Sequence, residues 1–466
     1  MLGSLFYFAL APNPCLAQKA SEMPERKSSF IGVETQLTDA PHGHILTNIG
    51  VWSPDSEWIV YDVRSDPAGN VFDGCRVERV HLKTGTVETL YTSASGACCG
   101  VVTTSPTDDR VVFIHGPENP TSDWSYAASH RRGVVVDAKS PLIAQNLDAR
   151  DLTPPFTPGA LRGGTHVHTF SGDGQWVAFT YEDHVLAKQD GSQHDLNQRN
   201  VGVSVPAGPV VVDRQHPRNH DSSHFTVLVT QTTNSPRPGS DEINRAFSDS
   251  WVGVNGYLKP DGTQQKRAIA FQGQVIDENG QAVSEVFLVD LPDDLTVPGD
   301  APLEGTATTR PAPPHGVVQR RLTHTTDRKY PGIQGPRHWL RSSPDGSQIA
   351  FLMKDDDGVV QIWTISQNGG EPKQLTHNNH GIGSAFTWSP DGRWIAHVTN
   401  GSVCITDTNS GNTYRLTKQS TTQHPPRPEA CVFSPDGNRI AYVRPVTNHG
   451  ETWNQIFVLT LEGNTP

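Results

Sequence analysis

Six copies of one short pattern recur along the chain and constrain its fold more than any other feature. In each copy an apolar run ends in serine, a turn of the Pro-Asp-Gly type follows, and a second apolar run begins. The serines are Ser53, Ser105, Ser171, Ser343, Ser389 and Ser434. Proline presets the backbone at the second turn position, and glycine accepts the positive φ that follows. Each copy is therefore predicted to be a β-hairpin.

The spacing of these copies predicts a seven-bladed β-propeller. The last three serines are 46 and 45 residues apart, and a repeat of about 45 residues with four strands is typical of propeller blades. The gap between Ser171 and Ser343 leaves room for one degenerate copy, which we assign to residues 224–233, 266–276, 284–292 and 319–324. The predicted fold is all-β, with a single propeller domain over residues 33–463 and with longer loops and insertions in blades 2–4.

The two ends of the chain are predicted to complete one blade together. Blades 4 to 6 end in Arg-Leu-Thr or Gln-Leu-Thr, but the last repeat stops near Gly463 without such an outer strand. Residues 33–38, with the sequence VETQLT, supply a strand of the same kind. We therefore expect this N-terminal strand to pair with the last strand and close the ring.

Charge and motif content exclude several functional classes. The net charge of −12 repels nucleic acid and anionic membranes, so no nucleic-acid partner is expected. The sequence has no Gly-x-Ser-x-Gly, P-loop or Gly-x-Gly-x-x-Gly string, which removes support for serine hydrolase, nucleotide hydrolase and dinucleotide oxidoreductase functions. The six cysteines lack metal-site spacing and are predicted to be buried thiols, with a disulfide between Cys404 and Cys431 as the alternative in an oxidising compartment.

The N-terminal segment predicts export. An apolar run at residues 5–11 is followed by Cys15-Leu16-Ala17, which resembles a signal peptide with a small-residue cleavage site, although the basic n-region is missing. Residues 1–17 are therefore predicted to be a signal peptide of a periplasmic or secreted protein, with a cytoplasmic location as the alternative. No other apolar run reaches the ~18 residues of a membrane span.

Residues 111–201 alternate apolar runs with loops rich in histidine, arginine and tyrosine. If the four strands of a blade are named a to d from the axis outward, the b-to-c and d-to-a loops share one face of the ring. His115 ends strand b of blade 2 and His130 precedes its strand c, while Tyr181 and Arg199 hold similar places in blade 3. His166, at the start of strand a in blade 3, points to the same face. Strand order alone thus predicts a shared site.

Nearly the whole chain, residues 36–462, resembles the YidR family of TolB-like propellers. The resemblance is carried by FIHGPENP, SHRRGV, TPGALRGGTHVH, FTYEDHVL, RNVGV, PGSDEINRAF and RRLTH. More distantly, the chain is similar to the seven-bladed ulvan lyases, in which two histidines, a tyrosine and an arginine follow in that order along blades 2 and 3. His115, His130, Tyr181 and Arg199 match this order. The resemblance implies a polysaccharide lyase that cleaves a uronate-containing, ulvan-like polysaccharide by β-elimination.

The chemistry of β-elimination assigns a role to each of these residues. Arg199 is expected to neutralise the uronate carboxylate, because a guanidinium binds it bidentately and keeps its own proton. Tyr181 is the expected base and an acid candidate, His115 is its acid or base partner, and His130 supports them or contacts the substrate. The further substrate contacts are expected to be Arg131, His166, His168, His184, His224 and Trp251.

Alternative interpretations stay open at each position. Tyr181 can be a core strand aromatic, His115 a strand cap, and Arg199 a structural partner of Asp195 or Glu182. No cofactor is required, but His166 and His168 lie two apart on a predicted strand and with His184 could ligate a divalent metal.

A non-catalytic function is the main alternative to a lyase. TolB-like propellers often act as platforms that bind a protein partner of the envelope or a glycan. Convergence of Tyr181, His115 and Arg199 in one pocket would favour the enzyme, and their scatter would favour the platform.

Overall fold

The computed structural model describes residues 31–187, 198–337, 339–420 and 424–462. Within these ranges every regular element is a β-strand, and none is a helix that could span a membrane. Seven four-stranded antiparallel sheets form the blades of a β-propeller, which confirms the predicted fold class. The predicted signal peptide, residues 1–17, lies outside the described residues.

Each blade contributes four strands, which follow in order from a to d. Blades 1 to 3 consist of Gly43–Ile45, Trp58–Arg64, Arg76–His81 and Val87–Thr92; Cys99–Thr104, Arg110–His115, Arg132–Asp137 and Ala144–Asn146; and Gly163–Phe170, Val177–Asp183, Asn200–Val205 and Phe225–Leu228. Blades 4 and 5 consist of Ala246–Trp251, Ala268–Ile276, Ala282–Asp290 and Val318–Arg321; and Arg341–Ser342, Gln348–Lys354, Val360–Ser366 and Lys373–Gln374.

The last two blades follow the same plan. Blade 6 consists of Thr387–Trp388, Trp394–Thr399, Ser402–Asp407 and Thr413–Arg415, and blade 7 of Cys431–Phe433, Arg439–Asn448, Glu451–Glu462 and Ile31–Gln36. Two short ribbons, Ala149–Arg150 with Ala160–Leu161 and Tyr257–Leu258 with Gln264–Gln265, lie outside the blades. Apolar clusters fill the space between neighbouring blades, so the core is distributed around the ring.

The recurring serine has a local structural reason. In blade 6 the Ser389 hydroxyl donates to Oδ1 of Asp391 at 2.5 Å, and the hydroxyl oxygen of Ser389 accepts the Trp394 amide at 2.9 Å. In blade 7, Ser434 repeats both bonds with Asp436 and Arg439. The serine thus joins both sides of the turn between strands a and b, which explains why the turn is visible in the sequence.

The chain closes the ring with its N-terminal strand, as predicted. Ile31–Gln36 pairs antiparallel with Glu451–Glu462, with Gln36 opposite Phe457, so the strand starts two residues before the predicted segment. Arg444 of the neighbouring strand donates from Nη1 to Oε1 of Glu34 at 2.7 Å. Blade 7 therefore contains the two ends of the described chain.

One strand predicted for the degenerate blade is wrong. The sequence pattern assigns residues 224–233 to it, but Phe225–Leu228 pairs with Asn200–Val205 and is the outer strand of blade 3. The inner strand of blade 4 is instead Ala246–Trp251, which carries Ser248, Asp249 and Ser250. Its polar residues follow a break in strand register, so the apolar pattern of an inner strand is absent there.

The inner strands of blades 2, 3 and 4 each contain a β-bulge. The residues at the three register shifts include Val101, Val167 and Ser248, with φ of 57°, 55° and 55°. A β-branched residue at positive φ is uncommon. Asp62 of blade 1 supports the first bulge, because its Oδ1 accepts the amide of Val101 at 2.8 Å. In blade 3 the bulge separates His166 from His168 and interrupts the alternation of side chains between them.

Arg341 links two inner segments of the ring. This arginine starts the inner strand of blade 5 and donates from Nη2 to the side-chain oxygen of Asn48 in blade 1, across the ring. Asp249 of blade 4 is its electrostatic partner. Burial lowers the pKa of Arg341 to about 10, and Asp249 opposes this shift. Burial raises the pKa of Asp249 to about 6, and Arg341 opposes that shift.

Candidate functional site

The two faces of the ring carry different kinds of segment. The Ser-Pro-Asp-Gly turns and the c-to-d connections lie on one face, and the b-to-c and d-to-a loops lie on the other. We call the channel opening on this second face the mouth. The mouth carries Arg131, His166 and Arg199 of blades 2 and 3, together with Arg337 and Arg427 from the loops before blades 5 and 7.

His166 lies at the mouth, where the charges of two arginines act on it. It belongs to the innermost strand of blade 3 and is partly exposed, and its Nδ1 is buried without a hydrogen-bond partner among the described residues. Burial lowers the pKa of His166 well below its usual value, and the positive charges of Arg131 and Arg199 lower this pKa further. The imidazole is therefore neutral near pH 7 and faces two cations.

The two arginines reach His166 from neighbouring blades. Arg131 precedes strand c of blade 2, and Arg199 precedes strand c of blade 3. Arg199 donates from Nε to Oε1 of Glu182 at 2.7 Å, while 39% of its side chain stays exposed. Glu182 thus fixes one edge of the guanidinium. One of the two structural partners proposed from the sequence is present, and Asp195 lies outside the described residues.

A stack of four side chains holds Arg131 in place. Arg64 lies 4.5 Å from the ring of Phe72, which stacks on Tyr126 at 4.8 Å between ring centroids. Arg131 lies 6.0 Å from the ring of Tyr126 and donates from Nη1 to its hydroxyl at 3.4 Å. Burial raises the pKa of Tyr126, so the hydroxyl keeps its proton. The stack joins blade 1 to the site.

Tyr181 lies in the core, contrary to the role assigned from the sequence. Its side chain is 1% exposed and packs with Leu161, Phe179 and Leu228. The hydroxyl donates to Oδ2 of Asp183, and burial raises the pKa of Tyr181 well above 10, an effect that Asp183 reinforces. A substrate at the mouth cannot reach this hydroxyl. The interpretation of Tyr181 as a core strand aromatic fits the structure.

His115 is also buried. Its Nδ1 lies 2.6 Å from the carbonyl oxygen of Gly116, which can only accept, so Nδ1 carries the proton. Nε2 then accepts from the hydroxyl of Tyr91 at 3.0 Å. Burial lowers the pKa of His115 to about 4, with the charge of Arg132 adding to the effect. The ring bridges blades 1 and 2, and the structure does not bring it together with Tyr181 and Arg199.

His130 and His184 form a pair beside Trp124. Nδ1 of His130 faces the carbonyl oxygen of Ser125 at 2.8 Å, and its Nε2 lies 3.0 Å from Nδ1 of His184. The Trp124 ring stacks on His130 at 3.8 Å and meets His184 edge-on at 4.6 Å. These contacts tie the b-to-c loops of blades 2 and 3 together, so His130 supports the mouth.

The three histidines considered for a metal do not fit one. His168 is buried, and its Nε2 lies 2.9 Å from the hydroxyl of Thr165, which itself donates to Asp148. The bulge at Val167 breaks the alternation that placed His166 and His168 on one side. His184 is engaged with His130. In the described part of the chain, no group of three His, Cys, Asp or Glu side chains could hold a metal ion.

His224 and Trp251 lie at the opposite face from the mouth. His224 precedes the outer strand of blade 3, and burial lowers its pKa to about 4, with Arg110 adding to the effect. Trp251 ends the inner strand of blade 4 and borders a cavity of about 190 Å³. Asp173 and Arg267, which form an ion pair, also line this cavity. The structure therefore separates both residues from His166.

The five cysteines of the described residues are free thiols, and Cys75 is exposed rather than buried as predicted. Cys404 and Cys431 are buried and unpaired, so the disulfide considered between them is not formed. Burial raises the pKa of Cys404 to about 12. Neither thiol belongs to the mouth.

Sequence reasoning missed several residues of the mouth. Tyr126 and Phe72 lie in b-to-c loops of blades 2 and 1, and Arg337 and Arg427 lie in the loops before blades 5 and 7. The rule of strand order that selected His166 could have selected them too. Their spacing along the chain is irregular, so no local motif singles them out.

The fold and the mouth define the class of this protein. It is a seven-bladed β-propeller with arginines at its mouth. A family model described as "Protein of unknown function (DUF3748)" matches residues 98–220, a segment that contains Arg131, His166 and Arg199. The uncharacterised protein YidR of Escherichia coli (strain K12) is 49% identical over 422 residues, which cover 90% of this chain and 95% of YidR. The chain belongs to the YidR family.

Solved structures with the same fold include oligogalacturonate lyases. One, in complex with manganese, has a TM-score of 0.53 at 12% identity and covers 93% of this chain and 96% of its own. Another, from Vibrio parahaemolyticus, has a TM-score of 0.50 at 11% identity and covers 92% of this chain and 96% of its own. At this identity the similarity establishes the shared propeller fold.

Proposed function

We propose that this protein is a lyase that cleaves a short uronate-containing oligosaccharide by β-elimination at the mouth. The observation that carries the proposal is the partly exposed imidazole of His166 on the innermost strand of blade 3, with a buried Nδ1 that has no partner among the described residues, on the same face of the ring as Arg131 and Arg199. β-Elimination needs a cation to neutralise the uronate carboxylate and a base to remove the proton at C5. Both kinds of group meet at His166.

The proposed step uses the residues as follows. Arg131 and Arg199 bind the carboxylate, which lowers the cost of developing negative charge next to it. His166 takes the C5 proton on its imidazole, and the electron pair of the C5–H bond forms the C4–C5 double bond. The C4–O bond breaks, and the departing oxygen takes a proton from the hydroxyl of Tyr126. The products are one unsaturated uronate end and one free hydroxyl.

The charge of the mouth supports an anionic substrate although the chain as a whole carries −12. Arg131, Arg199, Arg337 and Arg427 bring guanidinium groups to the mouth, where Glu182 pairs with Arg199 and Glu429 pairs with Arg337 and Arg427. Clustered guanidinium groups attract an anion locally, against the net charge of the molecule. Because the protein as a whole is acidic, a long sulfated polysaccharide that extends beyond the mouth would be repelled, which favours a short uronate chain as the substrate.

The comparisons support the reaction class through the fold. The oligogalacturonate lyases act, by their names, on a uronate oligosaccharide, and they share the propeller fold with this chain. The manganese in one of those structures is not carried over, because no group of three His, Cys, Asp or Glu side chains in the described part of the chain could hold a metal ion. Every proposed step therefore uses side chains alone.

The test follows the ultraviolet absorbance of the unsaturated uronate when purified protein is mixed with oligogalacturonate or with ulvan fragments. We expect absorbance to rise with the wild type and to stay flat with His166→Ala at an unchanged melting temperature. His224→Ala is the matched control, because it removes a partly exposed histidine from the opposite face. A flat trace with folded wild type on every substrate contradicts the proposal.

Non-catalytic binding is the second candidate function. His115 and Tyr181 are buried whereas Arg199 is partly exposed, and this difference favours a binding platform over a pocket that all three share. On this alternative the arginines hold an acidic glycan or an acidic segment of an envelope protein without cleaving it. Saturable binding of oligogalacturonate without any unsaturated product would support the platform.

A further inference from the structure

Two arginines of the mouth share one carboxylate on the side opposite His166. Arg337, in the loop before blade 5, donates from Nη2 to Oε1 of Glu429 at 2.9 Å. Arg427, in the loop before blade 7, donates to both oxygens of Glu429 at 2.9 and 3.1 Å. Glu429 is 8% exposed, whereas 38% of the Arg337 side chain is exposed. The cluster carries one more positive charge than negative charge and presents a guanidinium to solvent.

The connectivity places this cluster near the channel axis. Arg337 belongs to blade 5 and Glu429 to blade 7, so their contact passes over blade 6. Loops from blades two positions apart meet only at a small radius, because the blade between them separates them farther out. Arg427 also donates to the carbonyl oxygen of Ala68 in the blade 1 loop at 2.6 Å, which extends the cluster around the mouth.

The acidic side chain nearest to Ala68 in the sequence is Asp66, and it is held within its own loop. Its carboxylate accepts the amides of Asn70 and Val71 within its own loop. Backbone amides thus stabilise that charge in a fixed position, and the exposed edge of Arg337 keeps its capacity for a ligand oxygen.

We infer that Arg337 and Arg427 form a second carboxylate subsite and that the substrate class is an acidic oligosaccharide with at least two uronate groups. The inference rests on the proposed function. One carboxylate binds Arg131 and Arg199 on the side of blades 2 and 3, and another binds Arg337 on the side of blades 5 to 7. The sugar chain then lies across the mouth between the two subsites.

The test measures equilibrium binding of galacturonate and digalacturonate by calorimetry in a His166→Ala background, where no cleavage competes. We expect an added Arg337→Gln to weaken digalacturonate binding by about tenfold, the effect of losing one charge-assisted hydrogen bond. The affinity for galacturonate, which Arg131 and Arg199 hold, is expected to change by less than about twofold. Arg393→Gln is the matched control, because Arg393 is 33% exposed and lies at a turn on the opposite face.

The outcomes separate the subsite from the reaction. If Arg337→Gln weakens the binding of galacturonate and digalacturonate equally, or weakens the binding of neither sugar, the second subsite is overturned. Binding of digalacturonate that depends on Arg337 without any unsaturated product from the wild type overturns the elimination and keeps the subsite. Product formation without any dependence on Arg337 overturns the subsite alone. If the protein with His166 intact binds neither galacturonate nor digalacturonate, both the second subsite and the elimination reaction are overturned.

Discussion

The Tyr181 hydroxyl lies 3.1 Å from Oδ2 of Asp183, the same oxygen that accepts Nε of Arg162 at 2.9 Å. Arg162 in turn donates to the carbonyl oxygens of Thr306 and Thr309, at the tip of the long connection in blade 4. Tyr181 is thus one member of a buried polar network that joins blades 3 and 4, and this position sets its role.

Tyr181→Phe is expected to lower stability and to leave elimination unchanged. Loss of one buried hydrogen bond to a charged group costs about 1–2 kcal/mol. Asp183 keeps its bonds to Arg162 and to the amide of Leu186, so its charge is not left unpaired. Urea unfolding and product absorbance on the same preparation check both parts. Loss of product at unchanged stability would return the catalytic role to Tyr181.

The activity is expected to be independent of pH near neutrality. A base must be deprotonated, and the pKa of His166 lies well below 6.5 because of burial and of Arg131 and Arg199. Activity is therefore fully present around pH 6.5 to 8 and falls only as pH drops toward the lowered pKa of the folded protein. The profile of kcat/KM against pH measures this. A fall of kcat/KM on acidification with a midpoint near pH 6.5 would contradict the assignment of His166 as the base.

Stability is expected to fall as pH drops below about 6.5, because several buried histidines are neutral in the fold. Burial lowers the pKa of His44, His115 and His397 to about 4 in each case. Between the unfolded value and this folded value, the unfolded chain binds protons that the folded chain does not. In that window each of these histidines lowers the free energy of unfolding by about 1.4 kcal/mol for every pH unit of acidification.

Urea unfolding at several pH values measures this slope. His397→Asn is the informative variant, because it removes one titrating ring whose Nε2 lies 2.8 Å from the hydroxyl of Thr406. The slope of the unfolding free energy against pH should be smaller in this variant than in the wild type, by the amount that corresponds to the uptake of one proton. Equal slopes, or a stability that does not change over this window, would contradict the prediction.

Arg341→Met is expected to destabilise the ring by about 3 kcal/mol, because it leaves the charge of Asp249 buried without its cation. The pKa of Asp249, already raised by burial, would rise further. Adding Asp249→Asn should recover part of the loss, which a double-mutant cycle in urea detects. Strictly additive losses in that cycle would show that the two groups do not interact.

The sequence predicts the ring better than the mouth, and the reason is physical. The serine of each turn bonds within six residues, as Ser389 does with Asp391 and Trp394, so a local pattern records it. The site depends on contacts between loops far apart in sequence, such as Arg337 with Glu429. Strand order placed His166 and Arg199 on the correct face. Strand order could not show that His115 and Tyr181, on strand b of blades 2 and 3, have buried side chains.

The closing strand has a consequence for how the protein folds. Ile31–Gln36 pairs with Glu451–Glu462, so its partner does not exist until almost the whole chain has been synthesised. At 5–20 residues per second, the first strand waits for roughly 20 to 90 seconds. During that interval its edge and the apolar side of blade 1 that packs on blade 7 stay uncovered. The sequence of events on the ribosome thus makes ring closure a late step that an assisting chaperone would have to protect.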